Sequence, residues 1–368
     1  MDTEIRVRKK KIPSRMQSMG ISAATVGLAF SFIAHTDIVS EAVRSAGSLC
    51  VETVIPSLFP FLVLASFVVH SGLLRTSGKF LDPITRLLFN LPGEAGLALL
   101  LGLIGGFPVG PKTTAELYKL GEISKAQAQS MMLFNIGAGP AFVIGTVGVG
   151  MLGSYKSGLL LYASMVFAFL ALGLAVCMRL TGKKAGVESS LTLQGLKTSE
   201  KDGKSVGDAI HIAVESGTNS MIAICAYIVI FAAVTSVISL YISDANILGF
   251  ITAFLEVTRG CGVYSEMPGT GGVTAVAAII SFAGLCIHCQ VLGYVREVDL
   301  PYSKFFAARI AAACLAALFC RTFLLLFPDF LPVMSNMAEK VTTDFSASVP
   351  ACISLLLMSV LMVLDQKP

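Results

Sequence analysis

The sequence predicts an all-α polytopic membrane protein built from two related halves, each with broken helices and re-entrant hairpins. Three observations predict it. Hydrophobic residues make up 55% of the 368 residues and charged residues only 14%, with mean hydropathy +0.79, where soluble domains carry about 25% charged residues. Several apolar runs reach the ~20 residues that a bilayer span requires. Other apolar runs are interrupted by glycine and proline, and three of their features recur in the same order in both parts of the chain.

The candidate spans fall near 20–38, 58–74, 156–180, 218–241, 304–327 and 349–365. Arg6, Arg8, Lys9, Lys10, Lys11 and Arg15 precede the first of them. By the positive-inside rule this basic tail, residues 1–18, is expected to be cytoplasmic. No small-residue cleavage site follows Gly20–Ala34, so an uncleaved first helix is expected rather than a signal peptide.

Residues 39–55 are amphipathic and place Glu52 at a position expected to be buried, and the chain is expected to break at Pro56 and Pro60. The stretch 80–93 mixes charge, two prolines and bulky apolar residues, which suits a connector lying along the membrane interface. From Leu97 to Gly153 two apolar runs are broken, the first at Gly105, Gly106, Pro108, Gly110 and Pro111, the second at Gly137, Gly139 and Pro140. Backbone groups freed by such breaks find no partners in hydrocarbon, so breaks survive where protein or water surrounds them. Secondary transporters bind substrate at breaks of this kind.

Residues 182–206 have the Gly, Ser and charge content of a polar linker and separate a first half, 19–181, from a second, 207–368. VETVIPS from Val51 matches VESGTNS from Val214, placing Glu52 on Glu215 at an offset of 163 residues. LGLIGGFPVG is matched more loosely by FITAFLEVTRGCG, and AGPAFVIG from Ala138 by AGLCIHCQ from Ala283. Three ordered matches predict an internal duplication. Whether the halves are inverted is left open at this point.

An ionisable residue at membrane depth is a functional candidate by default. Lys112 follows the first set of breaks and Arg259 lies in the second, so each half brings a fixed cation to a broken helix. A helix starting near Thr113 would add its positive N-terminal end. This combination favours an anionic ligand such as a carboxylate. Glu52, Glu215 and Glu256 are candidates for coupling, for accepting hydrogen bonds, or for structural neutralisation. Asn135, Asn219 and Gln290 offer donors and acceptors at other breaks. Phe107 and Phe142 suit stacking on a ring or simple packing, and His288 reads as a hydrogen-bonded core histidine.

The nine cysteines are scattered, and the CxxC of Cys286 and Cys289 lacks a second ligand pair. No metal site and no cofactor are therefore expected. The chain carries no HExxH, GxSxG or P-loop, so an enzyme is not expected. A net charge of +4 gives no reason to expect nucleic acid as a partner.

LFPFLVL at 58, GGFPVGPKTTAELYKLGEIS at 105, NIGAGPAFVIGTVGVGMLG at 135, LEVTRGC at 255 and SFAGLCIHCQV at 281 together resemble the YlbJ (SpoVV) family of sporulation integral membrane proteins. That family is a branch of the nucleoside-recognition Gate domain proteins. The resemblance implies a fold like that of concentrative nucleoside transporters, with two helical hairpins meeting at a central site. It also implies movement of dipicolinate, a pyridine dicarboxylate, across the outer forespore membrane during spore formation. Carried over by position, the binding residues would be Gly106, Pro108, Lys112, Asn135, Gly139, Pro140, Glu256, Thr258, Arg259 and Gln290, with Phe107 standing where the family often has Tyr. The distant carriers are ion-coupled trimers, which makes a homo-oligomer one expectation. The alternatives are a non-transporting sporulation scaffold and a nucleoside carrier.

Overall fold

The computed structural model describes residues 15–71, 73–181 and 206–330. Most of the basic tail, all but one residue of the linker and the candidate span 349–365 lie outside the described residues. Among the described residues every regular element is helical. Among the described residues five helical runs are long and apolar enough to cross a membrane: Thr36–His70, Tyr155–Met178, Val206–Tyr241, Gly269–Glu297 and Tyr302–Leu326.

Helix α1 (Arg15–Ala34) leads into α2 (Thr36–Leu49), a π-helical turn at Cys50–Val54, and α3 (Ile55–His70). The expected break at Pro56 and Pro60 is not there; both prolines sit within one continuous helical run. A proline ring clashes with the carbonyl four residues earlier. For Pro56 that carbonyl belongs to Glu52, inside the π turn, where Ile55 N–H already reaches back five residues to Cys50 O. The wider turn shifts the hydrogen-bond register and lets the helix continue.

Helix α4 (Leu73–Phe89) carries exposed Phe80, Ile84 and Leu87, and its Gly78–Phe89 segment turns through 85° into α5 (Gly93–Gly105). This geometry suits the expected interfacial connector. Helix α5 folds back at Gly106–Pro108 into α6 (Val109–Lys119), forming the first hairpin. A Ser124–Gln127 capping box opens α7 (Lys125–Phe134). The chain then runs non-helically over Asn135–Gly139, continues as a π-helical segment (Ala141–Met151), and enters α8 (Tyr155–Thr181).

The second half begins with α9 (Val206–Tyr241). Helices α10 (Ala245–Leu255) and α11 (Val257–Ser265) form a second hairpin with Glu256 at its tip, where Gly260 packs on Ala253. A second broken helix follows, α12 (Gly269–Phe282) and α13 (Gly284–Glu297), parted at Ala283 with φ +73°. Helix α14 (Tyr302–Leu326) and a short 3-10 turn (Pro328–Phe330) end the described chain.

In each half the glycine of the broken helix rests on a hairpin tip. Gly139 lies against Ile104 O and Gly106, and Gly284 lies against Leu255 O and Glu256. Each hairpin also touches the other half's broken helix, α6 against α13 and α11 against the π-helical segment. Helices α3 and α9 run antiparallel: Gly217 packs on Val63, Phe67 clusters with Ala209 and Ala213, and Ala46 and Cys50 cluster with Ile228 and Ala232. The largest core joins α5, α7, α8, α12 and α14, including stacked Phe89 and Phe134.

Candidate substrate-binding site

The first hairpin closes because its arms carry glycine where they meet. A Cβ on Gly102 would lie 2.9 Å from Gly110 Cα, and one on Gly110 would lie 2.2 Å from Asn135 O. The Asn135 side chain, 1% exposed, enters the space these glycines leave. Its Nδ2 donates to Ala98 O at 3.4 Å on one arm, and to Gly110 O and Thr114 Oγ1, each at 3.2 Å, on the other. Asn135, expected to offer its amide to a ligand at the break, instead has its donors engaged by the hairpin.

Helix α6 starts at Val109 rather than near Thr113, so Lys112 lies within its first turn and donates its backbone N–H to Pro108 O at 3.0 Å. The earlier start follows from Gly106, whose φ of +88° ends α5 and lets Pro108 sit as N-cap of α6. A helix N-terminus carries partial positive charge, so Lys112 is held where an extra cation is disfavoured unless an anion joins it. Its side chain is 4% exposed, and Nζ has no hydrogen-bond partner.

Lys112 opens on a cavity of about 300 Å³ between α6, α9 and α13, lined also by Glu116, Ser216, Asn219, Ser220 and Tyr294. Glu116 stands one turn beyond Lys112 on the same face of α6. Its Oε1 accepts from Ser66 Oγ at 3.3 Å and Ser216 Oγ at 3.5 Å, while its Oε2 is buried without a partner. A rim ion pair, Lys119 Nζ to Glu297 Oε1 at 2.9 Å, borders the opening. Sequence reasoning missed Glu116, although its spacing of four residues from Lys112 on a helix was a readable signal.

The second hairpin tip is organised differently. Glu256, 4% exposed, caps α11 by accepting the backbone N–H groups of Thr258 at 2.9 Å and Arg259 at 2.7 Å. The Arg259 side chain borders an open depression with Asp37 and Glu41 of α2. Lys112 and Arg259 therefore line separate cavities, and the expectation that they grip one ligand together is not met in this arrangement.

Two buried side chains hold the breaks. Arg309 of α14, 1% exposed, donates to Leu133 O and Ile136 O, carbonyls freed where α7 ends. His288 Nε2 lies 3.0 Å from Phe282 O, the carbonyl at the second break, and Nδ1 lies 3.0 Å from Tyr302 Oη. A carbonyl only accepts, so Nε2 carries the proton and Nδ1 accepts from tyrosine. His288 is thus the hydrogen-bonded core histidine that the sequence suggested. Arg309 was not foreseen, because nothing local in α14 announces a partner about 170 residues earlier, a sequence separation of 173 from Ile136.

Phe107 is buried in the main hydrophobic core, where it packs rather than facing the Lys112 cavity. Pro140 is the N-cap of the π-helical segment. Gln290 donates to Cys286 Sγ at 3.4 Å and keeps a buried, unpartnered Oε1. Glu52, expected to be buried, is exposed on the π turn and accepts from Ser48 Oγ at 2.8 Å. Glu215 is likewise exposed, on α9.

Residues 51–184 match the family model described as Gate, nucleoside recognition, which covers both arms of the first hairpin and the first broken helix. Over 342 residues the chain is 28% identical to the sporulation integral membrane protein YlbJ of Bacillus subtilis (strain 168), covering 83% of this chain and 82% of that protein. No solved structure matches. With its apolar helices and bent hairpin the chain is an integral membrane protein, similar over most of its length to a sporulation membrane protein and over residues 51–184 to the Gate model.

Proposed function

We propose that this protein is a transporter of a small organic anion, with dipicolinate as substrate, working in the mother-cell-derived outer forespore membrane. The observation that carries the reading is Lys112: a buried ammonium without a hydrogen-bond partner, facing a cavity of about 300 Å³ beside a broken helix. A buried charge is costly unless paired. A carboxylate entering the cavity supplies the missing hydrogen-bond partner, with Ser216, Asn219, Ser220 and Tyr294 offering hydrogen bonds around it. The volume lies at the lower end of the range for small-molecule sites, about 300–1,000 Å³, which suits one aromatic ring with two carboxylates.

In this reading Lys112 binds and orients the anion, and Asn135 keeps the two hairpin arms together while the tip at Gly106 moves against Gly139. No bond is made or broken, so neither catalytic residue nor cofactor is required. A dianion crossing toward the positive side of a membrane gains about 2.3 kcal/mol per charge for each 100 mV. Transport down an existing potential is then sufficient to move it.

The description of the matched Gate model supports one rival, a nucleoside carrier. A neutral nucleoside would bring no anionic oxygen to the Lys112 ammonium, which has no hydrogen-bond partner, and this favours the anion. The test is uptake of radiolabelled dipicolinate into liposomes holding the purified protein, with dipicolinate, benzoate and uridine as unlabelled competitors. Saturable uptake blocked by dipicolinate and not by uridine is the expected result. Competition by uridine alone would replace the substrate class, and no uptake by folded protein under any imposed gradient would remove the transporter reading.

A further inference from the structure

We infer that Glu116 takes up one proton with each bound anion, so that anion binding and proton binding are a single linked event; this rests on the transporter reading above. Glu116 Oε2 is buried without a partner in the same cavity as the unpartnered Lys112 Nζ. Its Oε1 is fully occupied by two serine hydroxyls, from α3 and α9, which fix the carboxyl group and leave Oε2 as the free corner. With both groups ionised the cavity interior is neutral, and the Lys119–Glu297 pair at its rim adds no net charge.

A carboxylate drawn to Lys112 arrives beside a second carboxylate. Two such groups at contact distance cannot both remain ionised, and one proton is shared between them. Protonated at Oε2, Glu116 changes from a repelling charge into an O–H donor to the ligand oxygen. Lys112 and Glu116 then offer two donors one helical turn apart. The proton comes from the aqueous side on which the anion enters and leaves with the anion on the other.

The other titratable groups near Glu116 are few. On α3, His70 lies close enough to influence it, with Nδ1 2.8 Å from Ser66 O; α13 presents Tyr294 and Glu297; and α6 itself adds Lys112 and Lys119. Helices α5 and α7 bring no titratable side chain into this cavity. His70 is the competing proton carrier. A monovalent metal ion at the Glu116–Ser66–Ser216 oxygens would be opposed by the Lys112 charge.

The experiment is calorimetric titration of the purified full chain with dipicolinate, in buffers of different ionisation enthalpy, for wild type, Glu116→Gln and His70→Gln. Wild type should take up about one proton per ligand, and its affinity should weaken toward tenfold per pH unit above the range in which Glu116 titrates. Glu116→Gln should bind with no proton uptake and no such pH dependence, because its amide donates from the same place. Binding by wild type without proton uptake would overturn the inference and leave the transporter reading standing. Uptake that survives in Glu116→Gln and disappears in His70→Gln would move the role to His70 and overturn it equally. Absence of dipicolinate binding by folded wild type would sink both readings. If Glu116→Gln does not fold, wild-type liposomes decide: an imposed proton gradient should concentrate dipicolinate against its own gradient, and a sodium requirement in its place would contradict the inference.

Discussion

Asn135 donates to the carbonyl oxygen of Gly110 at 3.2 Å, and through that contact the first broken helix holds the first hairpin. The same amide reaches Ala98 O on the opposite arm, so one side chain spans both arms close to the Lys112 turn. Replacing Asn135 with Ala should cost about 1–2 kcal/mol of stability. Thermal unfolding in detergent should show a lower midpoint; an unchanged midpoint would remove Asn135 from this role.

Gly110→Ala tests the same junction from the other side. The new Cβ would meet Asn135 O at 2.2 Å, far inside van der Waals contact, and both partners are backbone-anchored. A loss of about 1–3 kcal/mol is expected from overpacking. Wild-type thermal stability in Gly110→Ala would show that the arms are not tightly closed there.

Gly106 carries φ +88° at the hairpin tip, with Gly139 N only 3.2 Å from where a Cβ would stand. Gly106→Ala should therefore strain the turn by about 1–3 kcal/mol. Uptake in liposomes should fall more than the amount of folded protein, because the tip is the part that meets the break. Equal loss of both would mean the glycine matters for folding alone.

Arg309 serves two carbonyls with one planar fork, which lysine cannot reproduce. Arg309→Lys should lose about 1–3 kcal/mol, and Arg309→Met should lose more, since both Leu133 O and Ile136 O then lack their donor. A fully stable Arg309→Met protein, judged by its unfolding midpoint, would contradict the assignment.

Much of this architecture was legible because glycine and proline inside apolar runs have few physical uses. The breaks at Gly106–Pro108 and Asn135–Gly139 occur where the sequence placed them, the break at Ala283 falls in the segment matched to AGPAFVIG, and Lys112 stood out as a charge among them. Pro56 misled because a π turn, invisible in local sequence, absorbs its clash. The start of α6 was misplaced because Gly110 and Pro111 read as breakers, whereas Pro111 fits the first turn of a helix, where its missing N–H costs nothing. Glu116 showed in sequence only its spacing from Lys112, and Arg309 showed nothing, because their partners Ser66, Ser216, Leu133 and Ile136 are tertiary contacts. Arg259 looked equivalent to Lys112 in sequence, yet α2 supplies its neighbours Asp37 and Glu41 and thereby gives it a different setting.

The central claim is that Lys112 holds the anion, and equilibrium binding of labelled dipicolinate to purified wild type, Lys112→Ala and Arg259→Ala tests it most directly. Removing one side of a buried charge contact costs about 2–5 kcal/mol, so Lys112→Ala should bind about thirtyfold more weakly or worse. Arg259→Ala, in its separate depression, should stay within about threefold of wild type, under 1 kcal/mol. Wild-type affinity in Lys112→Ala, with the loss appearing in Arg259→Ala, would contradict the account and move the anion to the second hairpin.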